Sequence, residues 1–139
     1  MDSVQPHTSG GPTLRARFDG SPGTVGEARR LAAEHLAAAG AGPHDAERVL
    51  LVVSELVTNA VRHAPGPCVL TVDAGPGAVR VAVQDTSPVR PDPRPADLST
   101  GTGGFGMHLV AQLSRRLTVE DAAHGTGKSV VAVVDTGPA

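Results

Sequence analysis

The sequence predicts an α+β domain in which about three helices lie as one layer on a mostly antiparallel sheet. Two observations carry that expectation. Runs with apolar residues at helical spacing and runs with period-two alternation follow one another as strand, helix, helix, strand, strand, loop, helix, strand, strand. The chain of 139 residues, 40% of them hydrophobic, suits a single domain with one sizeable core.

Each element can be justified in turn. Residues 1–12 are rich in Gly, Ser and Pro and read as a disordered leader, with 13–135 as the folded domain and 136–139 as a tail. Thr13 to Phe18 alternates, with Leu14, Ala16 and Phe18 on one face. The segment SPGT then breaks the pattern, and Thr24 suits the N-cap of a first helix carrying Val25, Ala28, Leu31, Ala32 and Leu36. Gly40 to Gly42 ends it. A second helix is expected from about Asp45 to Ala64, with Pro43 just before it and Asp45 and Glu47 favourably placed near its N-terminal dipole. His63 suits the cap at its other end.

Cys68 to Val72 and Ala78 to Gln84 alternate around Asp73-Ala74-Gly75-Pro76-Gly77, which reads as a β-hairpin. From 86 to 104 the pattern dissolves into Pro, Asp, Arg, Ser and Gly, a length that marks a lid or binding loop. A third helix is expected from about Phe105 to Ser114. Two last strands follow, Arg116 to Glu120 and Ser129 to Asp135, around the turn His124-Gly125-Thr126-Gly127.

Composition excludes several functions. Aromatics are 1%, with no Trp or Tyr, so the core must be aliphatic. The net charge is −2, and no basic face stands out that could track a phosphate backbone, so nucleic acid is not an expected partner. One cysteine, Cys68, excludes an internal disulfide and a cysteine-based zinc site. No run of the roughly 18 apolar residues a membrane span needs occurs, and the N-terminus lacks the charged and apolar regions of a secretory signal. The expected location is the cytoplasm. The histidines show no metal-ligand spacing.

Four places carry chemistry. Glu55 and Asn59, one helical turn apart, interrupt the otherwise apolar V-V-S-E-L-V-T-N-A-V. Such a pair occurs on any solvated helix face, but it also supplies a neutral oxygen for Mg²⁺ and a carboxylate able to polarise a hydroxyl aimed at a γ-phosphate. Asp85 closes a strand at the mouth of the loop. As a carboxylate it only accepts hydrogen bonds, which suits the exocyclic amine of adenine and not the carbonyl of guanine. The run Gly101 to Gly106, within G-T-G-G-F-G-M-H-L-V, opens a helix whose N-terminal N–H groups suit phosphate. The segment H-G-T-G-K-S is no Walker A loop, because Ala122 stands where that motif needs glycine and a strand follows. It reads as a turn with phosphate contact through Thr126 or Lys128.

Taken together, these pieces resemble the GHKL ATP-binding fold of histidine kinase-like ATPases, and within it the small bacterial anti-sigma factors that act as serine/threonine-protein kinases. The likeness spans about residues 13 to 135. ELVTNAVRHA resembles the N box, QDTSP sits at the first glycine box, GGFGMHLV at the second and GTGKSV at the third.

The resemblance implies a two-layer α/β sandwich and a transferase with ATP and Mg²⁺ as cofactors. It implies Glu55 as base, Asn59 as Mg²⁺ ligand and Asp85 as adenine reader, with Gly103, Gly104, Phe105, Gly106, Met107, Thr126 and Lys128 around the nucleotide. It also implies that Arg29 contacts protein partners: a small antagonist with a phosphorylatable Ser or Thr, and a sigma factor, the chain itself being a homodimer. The first glycine box departs from the family's Asp-x-Gly-x-Gly pattern, since Asp85 is followed by Thr86, Ser87, Pro88 and Val89 and both glycines are lost. Arg90 and Arg94 could serve there as phosphate clamps. The alternative reading is a non-catalytic, ATP-dependent module that sequesters a sigma factor or another regulator.

Overall fold

Alternation and helical spacing become the elements they predict. The computed structural model describes residues 13–64, 66–85, 104–121 and 127–137. Strand β1 (Thr13–Phe18) leads into α1 (Thr24–Ala38) and α2 (Pro43–His63). The hairpin β2 (Cys68–Gly75) and β3 (Ala78–Asp85) follows, and then come α3 (Gly104–Leu113), β4 (Arg116–Asp121) and β5 (Lys128–Asp135). The sheet order is β1-β2-β3-β5-β4 with every pairing antiparallel. The α+β expectation holds. The expected leader 1–12 and the loop 86–103 lie outside the described residues.

The core is the aliphatic one that the composition demands. Leu14, Ala16 and Phe18 of β1, Leu70 and Val72 of β2, and Val79, Val81 and Val83 of β3 face Ala28, Leu31, Ala32 and Leu36 of α1 and the buried stripe of α2. Val130, Ala132 and Val134 of β5 complete the layer, with Met107 and Val110 of α3. Each fully buried Val or Leu contributes about 1.5–3 kcal/mol. Among the described residues no helix is long and apolar enough to cross a membrane.

Local chemistry moves several boundaries. Thr24 is not the cap: Gly23 holds that position without a side-chain bond, and Thr24 is the first helical residue, buried, its N–H donating to Ser21 O at 3.0 Å. Helix α2 begins at Pro43, because proline at the first helical position loses no needed N–H. Helix α1 ends on Gly40 at φ +84, with Gly40 N donating to Ala37 O and Ala41 N to Leu36 O, the paired bonds that satisfy a helix C-terminus. Strand β2 continues through Asp73, Ala74 and Gly75, so the hairpin turn is only Pro76-Gly77.

Candidate functional site

The heptad-like apolar stripe of α2 fixes where its polar residues point. Val49, Val52, Val53, Leu56, Val57 and Ala60 are buried toward the sheet. On one flank α1 packs against α2, where Arg29 Nη1 donates to Ser54 Oγ at 2.5 Å and to Leu50 O at 3.3 Å. At about 100° per residue, Glu55 and Asn59 fall on the other flank. That is the side on which α3 packs, over β4 and β5. Both side chains are half-buried, and among the described residues neither has a hydrogen-bond partner. Two oxygen-bearing groups stand one turn apart, unspent, between two helices.

Strand parity builds the second part. Val79, Val81 and Val83 turn toward the helices, and the same parity turns Asp85 inward at the end of β3. On β5 the parity of Val134, Ala132 and Val130 likewise turns Lys128 inward. Asp85 and Lys128 are the last register pair of β3 and β5. Lys128 Nζ donates to Asp85 Oδ1 at 3.1 Å and Oδ2 at 2.9 Å, and the two side chains are 2% and 1% exposed. Across β5 from Lys128 stands Asp121 of β4. Cys68 begins β2 at the same end of the sheet; burial pushes its thiol above the ordinary range, and the negative charges of Asp85 and Asp19 add to that.

The structure thus distributes the expected site residues in pairs. Glu55 and Asn59 share one flank of α2. Asp85 and Lys128 share one rung of the sheet, so Lys128 is directed to a carboxylate rather than left free for a phosphate. Gly104 and Gly106 lie in the first turn of α3 with Phe105, and Met107 packs into the core below them. Arg29 is bound to α2 through Ser54. Gly101, Gly103, Thr126, Arg90 and Arg94 lie outside the described residues. The pairing of Asp85 with Lys128 is only half legible in the sequence: each residue continues the inward parity of its valine-rich strand by one step, but the register that joins them is tertiary.

These groups fit hard-cation chemistry in a limited sense. Asn59 and Glu55 offer oxygen donors of the type Mg²⁺ prefers. Among the described residues no cluster of three or more His, Cys, Asp or Glu could hold a metal ion. An ion held by Asn59 would therefore need further oxygens from water and phosphate, as Mg²⁺ commonly takes them. A cleft of about 420 Å³ at the opposite end of β3, between Gly40, Asp45, Pro76 and Thr136, offers less. Its carboxylate, Asp45, is already spent on Gly137 N at 3.0 Å and Arg48 at 3.2 Å.

Residues 18–134 match the family described as the histidine kinase-like ATPase domain. The sensor protein kinase CarS of Pseudomonas aeruginosa is 33% identical over 96 residues, which cover 60% of this chain and 22% of that protein. The chain therefore spans about a fifth of the length of this curated relative. Among solved structures, the RsbU and RsbW domains of a Mycobacterium tuberculosis protein align over 92% of this chain and 34% of that one, at TM-score 0.66 and 24% identity. The SiaB–SiaC complex from Pseudomonas aeruginosa aligns over 85% of this chain and 88% of that one, at TM-score 0.61 and 17% identity. At such identities these two likenesses speak to the fold alone.

Proposed function

The chain belongs to the histidine kinase-like ATPase domain family, and from that premise we propose that it is an ATP- and Mg²⁺-binding anti-sigma regulatory factor that phosphorylates a serine or threonine on a small antagonist protein. The observation that carries the reading is the unspent pair Glu55 and Asn59 on the α3 side of α2. Neither has a protein bond to break among the described residues, so both remain available to a ligand. The start of α3 at Gly104 brings a helix N-terminus to the same layer, a favourable place for phosphate oxygens.

In this reading Asn59 contributes one oxygen to the metal. Bound Mg²⁺ supplies charge neutralisation for the phosphates. Glu55 accepts the proton of the incoming serine or threonine hydroxyl, and Asp85 accepts a hydrogen bond from the adenine amine. Residues 86–104 would act as a lid. Arg29, on the exposed face shared by α1 and α2, would meet the antagonist and a sigma factor, with the chain acting as a homodimer in the cytoplasm.

One observation favours a second reading. The Asp85 carboxylate is followed by Thr86, Ser87, Pro88 and Val89 rather than glycines. A stiffer chain there would favour an ATP-dependent binding module that sequesters its partner without turnover. Calorimetric titration of ATP with Mg²⁺, with GTP as control, tests both readings. ATP binding is expected, weakened by roughly tenfold or more in Asn59→Ala. No binding by the wild type would overturn both. Binding without transfer to any co-purified partner would leave the second.

A further inference from the structure

We propose that Lys128 sets the base selectivity of the nucleotide site by holding the Asp85 carboxylate in a single orientation; this deepens the ATP reading above and rests on it. The argument begins with what the sheet would otherwise place at this rung. The rungs beside it on the inner face of β3 and β5 pair Val83 with Val130 and Val81 with Ala132. An apolar pair would continue that core, and replacing buried ion pairs by packed apolar residues is often neutral or stabilising. Stability alone therefore gives no reason for a charged rung.

A reason appears when the lone pairs are counted. Lys128 Nζ takes one hydrogen bond on each carboxylate oxygen, at 3.1 and 2.9 Å. A carboxylate has about four lone-pair sites, so the two contacts from one ammonium do not exhaust it. The two-point contact fixes the rotation of the carboxylate, and the ammonium keeps a buried negative charge tolerable. What results is a fixed, acceptor-only group at the end of β3. Such a group welcomes an N–H donor such as the 6-amino group of adenine and repels a carbonyl oxygen. Lys128 touches no nucleotide in this scheme and is a positioning residue. It is also the one lysine in the chain, and its ammonium is a compact point charge.

The test compares ATP with purine riboside triphosphate, which lacks the 6-amino group, by calorimetric titration with Mg²⁺ on wild type and Lys128→Met. The wild type is expected to prefer ATP. In Lys128→Met the affinity for ATP should fall by roughly tenfold or more, while that for the amine-free analogue changes by about twofold or less, so the preference collapses. A lysine with a merely structural role would weaken both alike; an unchanged preference ratio in a folded Lys128→Met overturns the inference and leaves the ATP reading intact. Should circular dichroism show Lys128→Met unfolded, Lys128→Gln, which keeps a neutral N–H donor group, is judged by the same ratio. Failure of the wild type to bind either triphosphate would instead overturn the ATP reading, and the inference with it.

Discussion

Lys128 Nζ reaches both carboxylate oxygens of Asp85, at 3.1 and 2.9 Å, across the last rung between β3 and β5. With side chains 2% and 1% exposed, neither charge can turn to water if the other is removed. Lys128→Met should therefore destabilise the fold by about 3–5 kcal/mol, the usual penalty for an orphaned buried charge. The double variant Asp85→Val, Lys128→Met should regain most of that loss, since it continues the apolar rungs beside it. Urea unfolding midpoints measure both. A single variant costing less than about 1 kcal/mol would show that water reaches the pair.

Glu55 makes the opposite case. It is half-buried, without a partner among the described residues, so Glu55→Gln should change stability by no more than about 0.5 kcal/mol. On the proposed function the same change should lower phosphotransfer by about 10²–10⁴-fold, the range of general-base contributions, while ATP binding stays within a few-fold. Single-turnover transfer of labelled γ-phosphate separates the two effects. Full transfer by Glu55→Gln would remove it as the base.

The contrast between these two pairs shows what the sequence makes legible. Glu55 and Asn59 can be read because helical spacing is a strong local rule and the apolar stripe around them is dense. The strands were readable for the same reason, one period of two at a time. Asp85 and Lys128 are 43 residues apart, and their meeting depends on the register of β3 against β5, which no local pattern reports. Local pattern therefore offers Lys128 only as an alternative to Thr126 for phosphate contact. Ser54 as the anchor of Arg29 was missed for a related reason, since which flank of α2 receives α1 is a tertiary choice.

Cys68 provides a pH test of the same end of the sheet. Burial, and then the charges of Asp85 and Asp19, raise its thiol above the ordinary range. The folded protein should resist thiol reagents at pH 8 and react once urea unfolds it. The raised value means that the folded state favours the neutral thiol. Its stabilising effect is complete below the ordinary thiol range and is lost as pH rises through that range toward the folded value. With no tyrosine and a single lysine, few other groups titrate there. Unfolding midpoints should thus fall between about pH 8 and 10 for wild type and fall less for Cys68→Ala. Parallel decline in both proteins would assign the loss to another group.

Gly20 joins the entry of α1 to the segment that leaves α2. It sits at φ +83, and a Cβ built on it would lie 2.5 Å from Gly66 O, a backbone atom that cannot swing aside. Beside it, Asp19 Oδ1 accepts a hydrogen bond from Ser21 N at 2.9 Å, which fixes the bend after β1. Gly20→Ala must therefore meet two penalties, a left-handed backbone that disfavours a Cβ by about 1–2 kcal/mol and a collision that pushes the two segments apart. A total loss of roughly 2 kcal/mol or more is expected. Gly26 is the control, because it lies inside α1 with nothing within 4 Å of its built Cβ. Gly26→Ala should stabilise by about 0.5–1 kcal/mol through helix propensity alone. Thermal melts of the two variants should move in opposite directions. A Gly20→Ala protein as stable as wild type would mean that the approach of Gly20 to Gly66 is looser than 2.5 Å implies.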